Sequence, residues 1–227
     1  MITIVESHLR FNIEVNKLNS SFGKAFTSYE IDILLNQAQM AFLAEKLNNK
    51  QGNGVEYDNV IMNQLAPILI HKEVYAPTNN TVIGDDLEYP VYEFIAFEID
   101  GTKNNCTKRF KECKFFKHQI VVNETQQSNW KWGICNAYLA SYDDQKTIIL
   151  EPTDFTIPTV YVSYYKYPRI VSIGGYYDIN ENMTTTTEWT WTDDNTVIEI
   201  IKKAALLALE SIQPTIETKA LTDSMLN

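Results

Sequence analysis

The 227 residues predict an α+β protein: a helical unit built from N-terminal and C-terminal helices, with an antiparallel β domain, a sheet or small barrel, inserted between them. Three observations predict it. Apolar residues recur at three-four spacing near both ends, the period changes to two from about residue 73, and turn-forming pairs punctuate that middle stretch at hairpin spacing. The expected limits are 1–72 for the N-terminal helical part and 73–180 for the β domain. A loop and C-terminal helix packing on the first helices follow at 181–213, then a tail at 214–227.

Ile4, His8, Phe11, Val15 and Leu18 lie on one stripe of a first helix that ends near Asn19–Gly23. Thr27-Ser28-Tyr29-Glu30 is a capping box, in which the Thr27 hydroxyl accepts from the Glu30 amide and the Glu30 carboxylate reaches back. It opens a second helix over 28–48 with Ile31, Leu34, Leu35, Ala38 and Phe42 on its apolar face. A third helical segment runs from Asp58 through Ile61, Leu65 and Ile68, and Pro67 ends or kinks it. Strands are expected over 88–99, 115–122, 131–140, 147–150 and 159–167, with turns at Asp100-Gly101, Asp143-Asp144, Glu151-Pro152 and Gly174-Gly175. Thr196-Val197-Ile198-Glu199 repeats the capping-box pattern, and Ile198, Ile201, Ala205, Ala208 and Leu209 form the face of a last helix. That helix is expected to stop at Gln213 because Pro214 follows, leaving a tail whose Ile216, Leu221, Met225 and Leu226 need a surface to dock on.

Composition narrows the function. With 44% hydrophobic residues, 13 Tyr, 10 Phe and 4 Trp, the chain is an ordered globular protein. The 19 bases against 29 acids give a net charge of −10, which opposes long-range approach to nucleic acid or an anionic membrane. The strongly apolar runs, such as Leu65–Ile70 and Ala204–Leu209, are far shorter than the roughly 20 residues that span a bilayer. Residues 1–10 lack a signal-peptide pattern, and three cysteines fit a reducing compartment.

Candidate chemistry is sparse. Cys106, Cys113, His118 and Cys135 are the one metal-like set, but their gaps of seven, five and seventeen contain no short knuckle, so isolated thiols are expected and no metal or cofactor. His8 and His71 read as structural histidines. There is no G-x-S-x-G elbow, P-loop or G-x-G-x-x-G turn, and the acid pairs Asp85-Asp86, Asp143-Asp144 and Asp193-Asp194 fall in expected turns. No catalytic residue is assigned.

The charge layout is more informative. Asp85, Asp86, Glu88, Glu93, Glu98 and Asp100 are followed by Lys103, Lys108, Arg109, Lys111, Lys114 and Lys117, opposed only by Glu112. The two runs either pair across a hairpin or face opposite neighbours in an assembly. The candidate interface is Lys108, Arg109, Lys111, Lys114 and Lys117 with Glu88, Glu93 and Glu98, and the tail residues Leu221 and Met225. Phe110, Phe115 and Phe116 beside the basic run also suit base stacking, although alternating aromatics in a strand usually face a core.

Phe11-Asn12-Ile13-Glu14-Val15-Asn16-Lys17-Leu18-Asn19-Ser20, followed by Tyr29-Glu30-Ile31-Asp32-Ile33-Leu34-Leu35-Asn36-Gln37-Ala38-Gln39, resembles small virion proteins of crAss-like tailed bacteriophages. In that family a first helix reads F-N-x-E-V-N-K-x-x-S and a second reads E-I-D-x-x-L-N-x-A-Q. A strand like Val160–Pro168, a polar loop and a helix like Ile198–Glu210 agree in kind, so the resemblance touches both ends, about a third of the chain. It implies a structural subunit of the head-to-tail connector: a ring of about a dozen copies beneath the portal, touching the portal and other connector or tail proteins. Viral DNA then passes through the channel without specific binding. The implied setting is the virion, assembled in the bacterial cytoplasm, with no enzyme activity and no membrane. The alternatives are a tail or fibre-attachment component and a carbohydrate-binding or hydrolytic β domain, in which Trp130, Trp132, Trp189 and Trp191 would be exposed platforms.

Overall fold

The structure is a computed structural model that describes residues 1–18, 26–49, 55–77, 81–82, 87–110, 112–116, 128–142, 145–152, 154–178 and 180–225. It is mixed α+β and divides into two compact units, one of residues 1–67 with 168–227 and one of residues 68–167.

The first unit holds four helices: α1 (Ile4–Leu18), α2 (Ser28–Asn49), α3 (Val55–Leu65) and α4 (Asp194–Met225). α1 buries Ile4, His8, Phe11 and Val15, the stripe that the spacing predicts. Its start is tied down: the Ile4 amide donates to Glu188 (2.9 Å), which satisfies a donor the helix end leaves free, and the Ile2 amide just ahead of the helix donates to Asp194 (2.8 Å). α2 opens on the capping box, with Thr27 N–H donating to the Glu30 carboxylate (2.8 Å) and Glu30 N–H to the Thr27 hydroxyl (3.3 Å). α3 gives way to a single 3-10 turn, Ala66–Ile68, at Pro67, whose ring cannot continue the α ladder. α2 and α4 are joined by Lys46–Glu199 (2.8 Å) and Lys203–Glu45 (2.6 Å), above a buried α4 row of Val197, Ile201, Ala204, Ala205 and Ala208.

Both ends of α4 differ from the sequence expectation. The cap is Asp193, not Thr196: its carboxylate accepts from the Thr196 amide (2.9 Å) and the Thr196 hydroxyl (2.9 Å), because a full charge at the helix start outcompetes a neutral hydroxyl. The far end runs through Pro214 to Met225. Proline removes one rung of the ladder at a cost of about 3 kcal/mol, and a helix of 32 residues retains the rungs on either side.

Among the described residues the second unit contains eight strands in two four-stranded sheets, where the sequence suggests one sheet or a small barrel. The first sheet has the order β1 (Leu69–Tyr75), β8 (Thr156–Lys166), β3 (Val91–Lys103), β4 (Cys106–Phe110). The second has the order β2 (Thr81–Val82), β7 (Gln145–Glu151), β6 (Ile134–Tyr142), β5 (Glu112–Phe116). Among the described strands every pairing is antiparallel except β5–β6, which is parallel. One apolar core draws on both sheets, including Ile99, Val160, Val162 and Tyr164 of the first and Ala137, Ile148 and Leu150 of the second.

The hairpin between β3 and β4 turns at Asn104-Asn105, both with positive φ (51° and 62°), the backbone of a two-residue turn that matches strand twist. The expected turn at Asp100-Gly101 lies inside β3 instead. Gly101 is there for space: a Cβ would sit 2.7 Å from the Phe110 ring, itself packed on Phe155 at 5.0 Å between centroids.

Candidate functional site

The hairpin register decides how the charged runs are used. Arg109 lies directly opposite Asp100; its Nε donates to Asp100 (2.6 Å), its NH1 to Glu98 (3.3 Å), and its guanidinium lies 3.6 Å from the centre of the Tyr161 ring. Acidic and basic residues therefore pair within the chain at this point, the hairpin alternative of the two weighed above. Lys108 is exposed, with Nζ donating to the Lys131 carbonyl (3.3 Å), and Glu88 and Glu93 are exposed. Of the remaining candidates, Lys111 and Lys117 lie outside the described residues, as does His118. Lys114 is placed only as a backbone position in β5, and Leu221 and Met225 only as backbone positions near the end of α4.

The same face of the first sheet carries a shallow depression of about 380 Å³, opened by the small side chains Ala96 and Ser163 and walled by His71, Glu98, Arg109 and Tyr161. His71 Nδ1 and the Ser163 hydroxyl are hydrogen-bonded at 2.8 Å and are direct cross-strand partners, so antiparallel pairing alone brings them together. The Tyr161 hydroxyl donates to Asp100 (3.1 Å). Hydrogen bonding to Glu73 first, then burial and the bond to Asp100, push the Tyr161 phenol up to about 12. It therefore keeps its proton at neutral pH and serves as a donor, while Glu73, bonded by Tyr75 and Tyr161, is held below the usual carboxylate range.

In the helical unit, the residues that carry the resemblance converge. Asp32, Asn36 and Gln39, at i, i+4 and i+7 of α2, point to one side and hold the segment after residue 168. Asp32 accepts from His8 Nε2 (2.7 Å), the Tyr176 hydroxyl (2.5 Å) and the Ile173 amide (3.0 Å). Burial pushes its carboxyl up, but the bonds from His8, Tyr176 and Ile173 outweigh that and hold it below the ordinary value. Asn36 grips both backbone groups of Val171, donating to its carbonyl (2.8 Å) and accepting from its amide (2.9 Å). Gln39 donates to the Arg169 carbonyl (3.0 Å) and accepts from Trp191 Nε1 (3.3 Å). Residues 168–180 therefore belong to the helical unit and not to the β domain: an irregular stretch must place its backbone groups somewhere, and α2 supplies the partners. The outward clue in the sequence was three polar side chains beside a face of Ile31, Leu35, Ala38 and Phe42, all buried.

No known family model or curated protein matches this chain. Trp189 and Trp191 are buried, Trp130 is half-buried and packed on the β core, and Trp132 is 70% exposed at a turn. Cys106 is exposed and Cys135 buried, both as free thiols, and burial pushes Cys135 up to about 12. Among the described residues no three His, Cys, Asp or Glu side chains converge as a metal site requires, and no helix is long and apolar enough to cross a membrane.

Proposed function

We propose that this chain is a structural subunit of a phage head-to-tail connector, a ring of about a dozen copies beneath the portal through which viral DNA leaves. The observation that carries the reading is the polar grip of α2. Asp32, Asn36 and Gln39 are motif positions of the resemblance, and they are the side chains that hold the 169–176 segment to the N-terminal helices. The second-helix part of the likeness therefore rests on residues that shape the unit, while Asn12, Asn16 and Lys17 of the first-helix part are exposed. Its helical parts lie in the two chain ends that the helical unit joins, and its strand is β8 of the β unit.

Two features support an assembly role. α1 is apolar on its outer side as well as its inner one, with Val5, Leu9 and Ile13 exposed, as expected of a helix that meets a partner. The net charge of −10 offers a passing duplex few cations for its phosphates, so DNA slides without sticking. In this reading the N-terminal and C-terminal helices form the body of the subunit, and the inserted β unit provides further contacts with the portal or tail proteins. The buried Trp189 and Trp191 weigh against a tryptophan-platform sugar binder.

A nonsense mutation in the gene tests this. Infection of a non-suppressing host is expected to yield filled or leaking heads separated from tails by electron microscopy. Normal, infectious particles lacking the chain would overturn the reading.

A further inference from the structure

α1 carries two apolar rows. One is the inner stripe of Ile4, Phe11 and Val15; the other, Val5, Leu9 and Ile13, recurs every four residues on the outer side and is 53%, 62% and 52% exposed. Beside this second row runs a groove of about 410 Å³ between α1 and α4, walled by Leu9 and Ile13 and floored by Ile198 and Ile201. Ridge and groove are thus the same patch of surface. A row of side chains spaced by four is the ridge that seats between the ridges of a second helix when the two cross at about −50°.

We propose that this patch is a two-fold contact between two copies of this chain, in which the Val5-Leu9-Ile13 ridge of each copy seats in the α1/α4 groove of the other. Because each ridge borders its own groove, seating one ridge seats the other, and the contact is isologous. It goes beyond the ring reading, since a ring is closed by heterologous contacts and this one pairs subunits. Charge favours a second copy as the occupant. Most of the surface of a chain with a net charge of −10 repels its own kind. Around this groove, however, stand two acids, Glu6 and Glu14, against three bases, Arg10, Lys17 and Lys202. Four of these five are spent within α1, on Arg10–Glu6 (2.6 Å) and Lys17–Glu14 (2.8 Å), which leaves Lys202 on each face, so two copies repel less here than across the acidic remainder of the surface. Size agrees as well. The outer row with Met1 and Leu206, also exposed, offers on the order of 500 Å² of apolar surface, close to the apolar share of the roughly 800 Å² that each partner contributes to a standard interface.

Sedimentation velocity of the purified full chain across micromolar concentrations tests the contact. The expected result is a reversible dimer, with Leu9→Glu weakening association at least a hundredfold while circular dichroism stays unchanged. Both substituted side chains are solvent-facing in the monomer, so Ile13→Glu serves as an independent second variant. A Leu9→Cys variant in a Cys106→Ser background is expected to cross-link two chains on mild oxidation, and Gln37→Cys on exposed α2 surface is not. A wild-type chain that stays monomeric, or a dimer that Leu9→Glu and Ile13→Glu leave intact, overturns the proposal. Neither result touches the ring reading, which is tested by the presence of the chain in particles.

Discussion

Replacing Asp32 with Ala removes the acceptor on which three donors converge, and the geometry sets the cost. His8 is buried and loses the partner at 2.7 Å; the Tyr176 hydroxyl and the Ile173 amide are half-buried and lose theirs at 2.5 and 3.0 Å. An abandoned donor costs about 2 kcal/mol when buried and about 1 kcal/mol when water can reach it, and the Tyr176 hydroxyl keeps Ser172 at 3.2 Å, so the sum is about 3 kcal/mol. That is a large part of the roughly 5–15 kcal/mol that holds a domain folded. Asp32→Asn keeps one acceptor oxygen but turns an N–H toward a donor, and about half that loss is expected. Urea unfolding followed by tryptophan fluorescence reads the helical unit selectively if Trp130 and Trp132 are first changed to Phe, because Trp189 and Trp191 are buried in that unit. Unfolding free energies within about 1 kcal/mol of the parent for both variants would falsify the view that Asp32 organises this unit.

The same carboxylate gives a pH dependence. Its folded-state pKa lies below the ordinary 3.8, so the stabilisation is present above that value and is lost as pH falls through the lowered folded-state value. Acid titration of the fluorescence signal should show the step, and Asp32→Asn should abolish it. In the β unit, Gly101→Ala places a methyl group 2.7 Å from the Phe110 ring and is expected to cost about 1–3 kcal/mol, measured by thermal unfolding; an unchanged Tm means that the ring has room to move. Thiol labelling at neutral pH should modify the exposed Cys106 quickly and spare Cys135 until the chain unfolds, and rapid labelling of Cys135 contradicts its buried position.

How far the sequence could be read depended on the range of the forces involved. Helix faces and the Thr27 cap are local, and spacing exposed them: Ile4, Phe11 and Val15 face inward, and α2 starts at Ser28. The strand over 159–167 was legible because Val160, Val162 and Tyr164 alternate on one core face. β4 is expected only as an arm of the charged hairpin and not from periodicity, because its burial is confined to Phe110 among Cys106, Thr107, Lys108 and Arg109, all exposed, so no alternation marks it. Asp100-Gly101 imitates a turn, yet the glycine is required by an aromatic ring nine residues later, a contact that a local rule cannot see. Of the candidate site, the charged hairpin was foreseen as one of two arrangements, and Arg109 with Asp100 and Glu98 shows its pairing. The grip of Asp32, Asn36 and Gln39 on residues 169–176 was not foreseen. Its partners are more than a hundred positions apart, and backbone groups carry no side-chain signature.

The most direct test of the connector reading is quantitative mass spectrometry of purified phage particles, comparing the copy number of this chain with that of the portal. The account predicts about one ring, on the order of a dozen copies per particle. Absence of the chain from particles contradicts it.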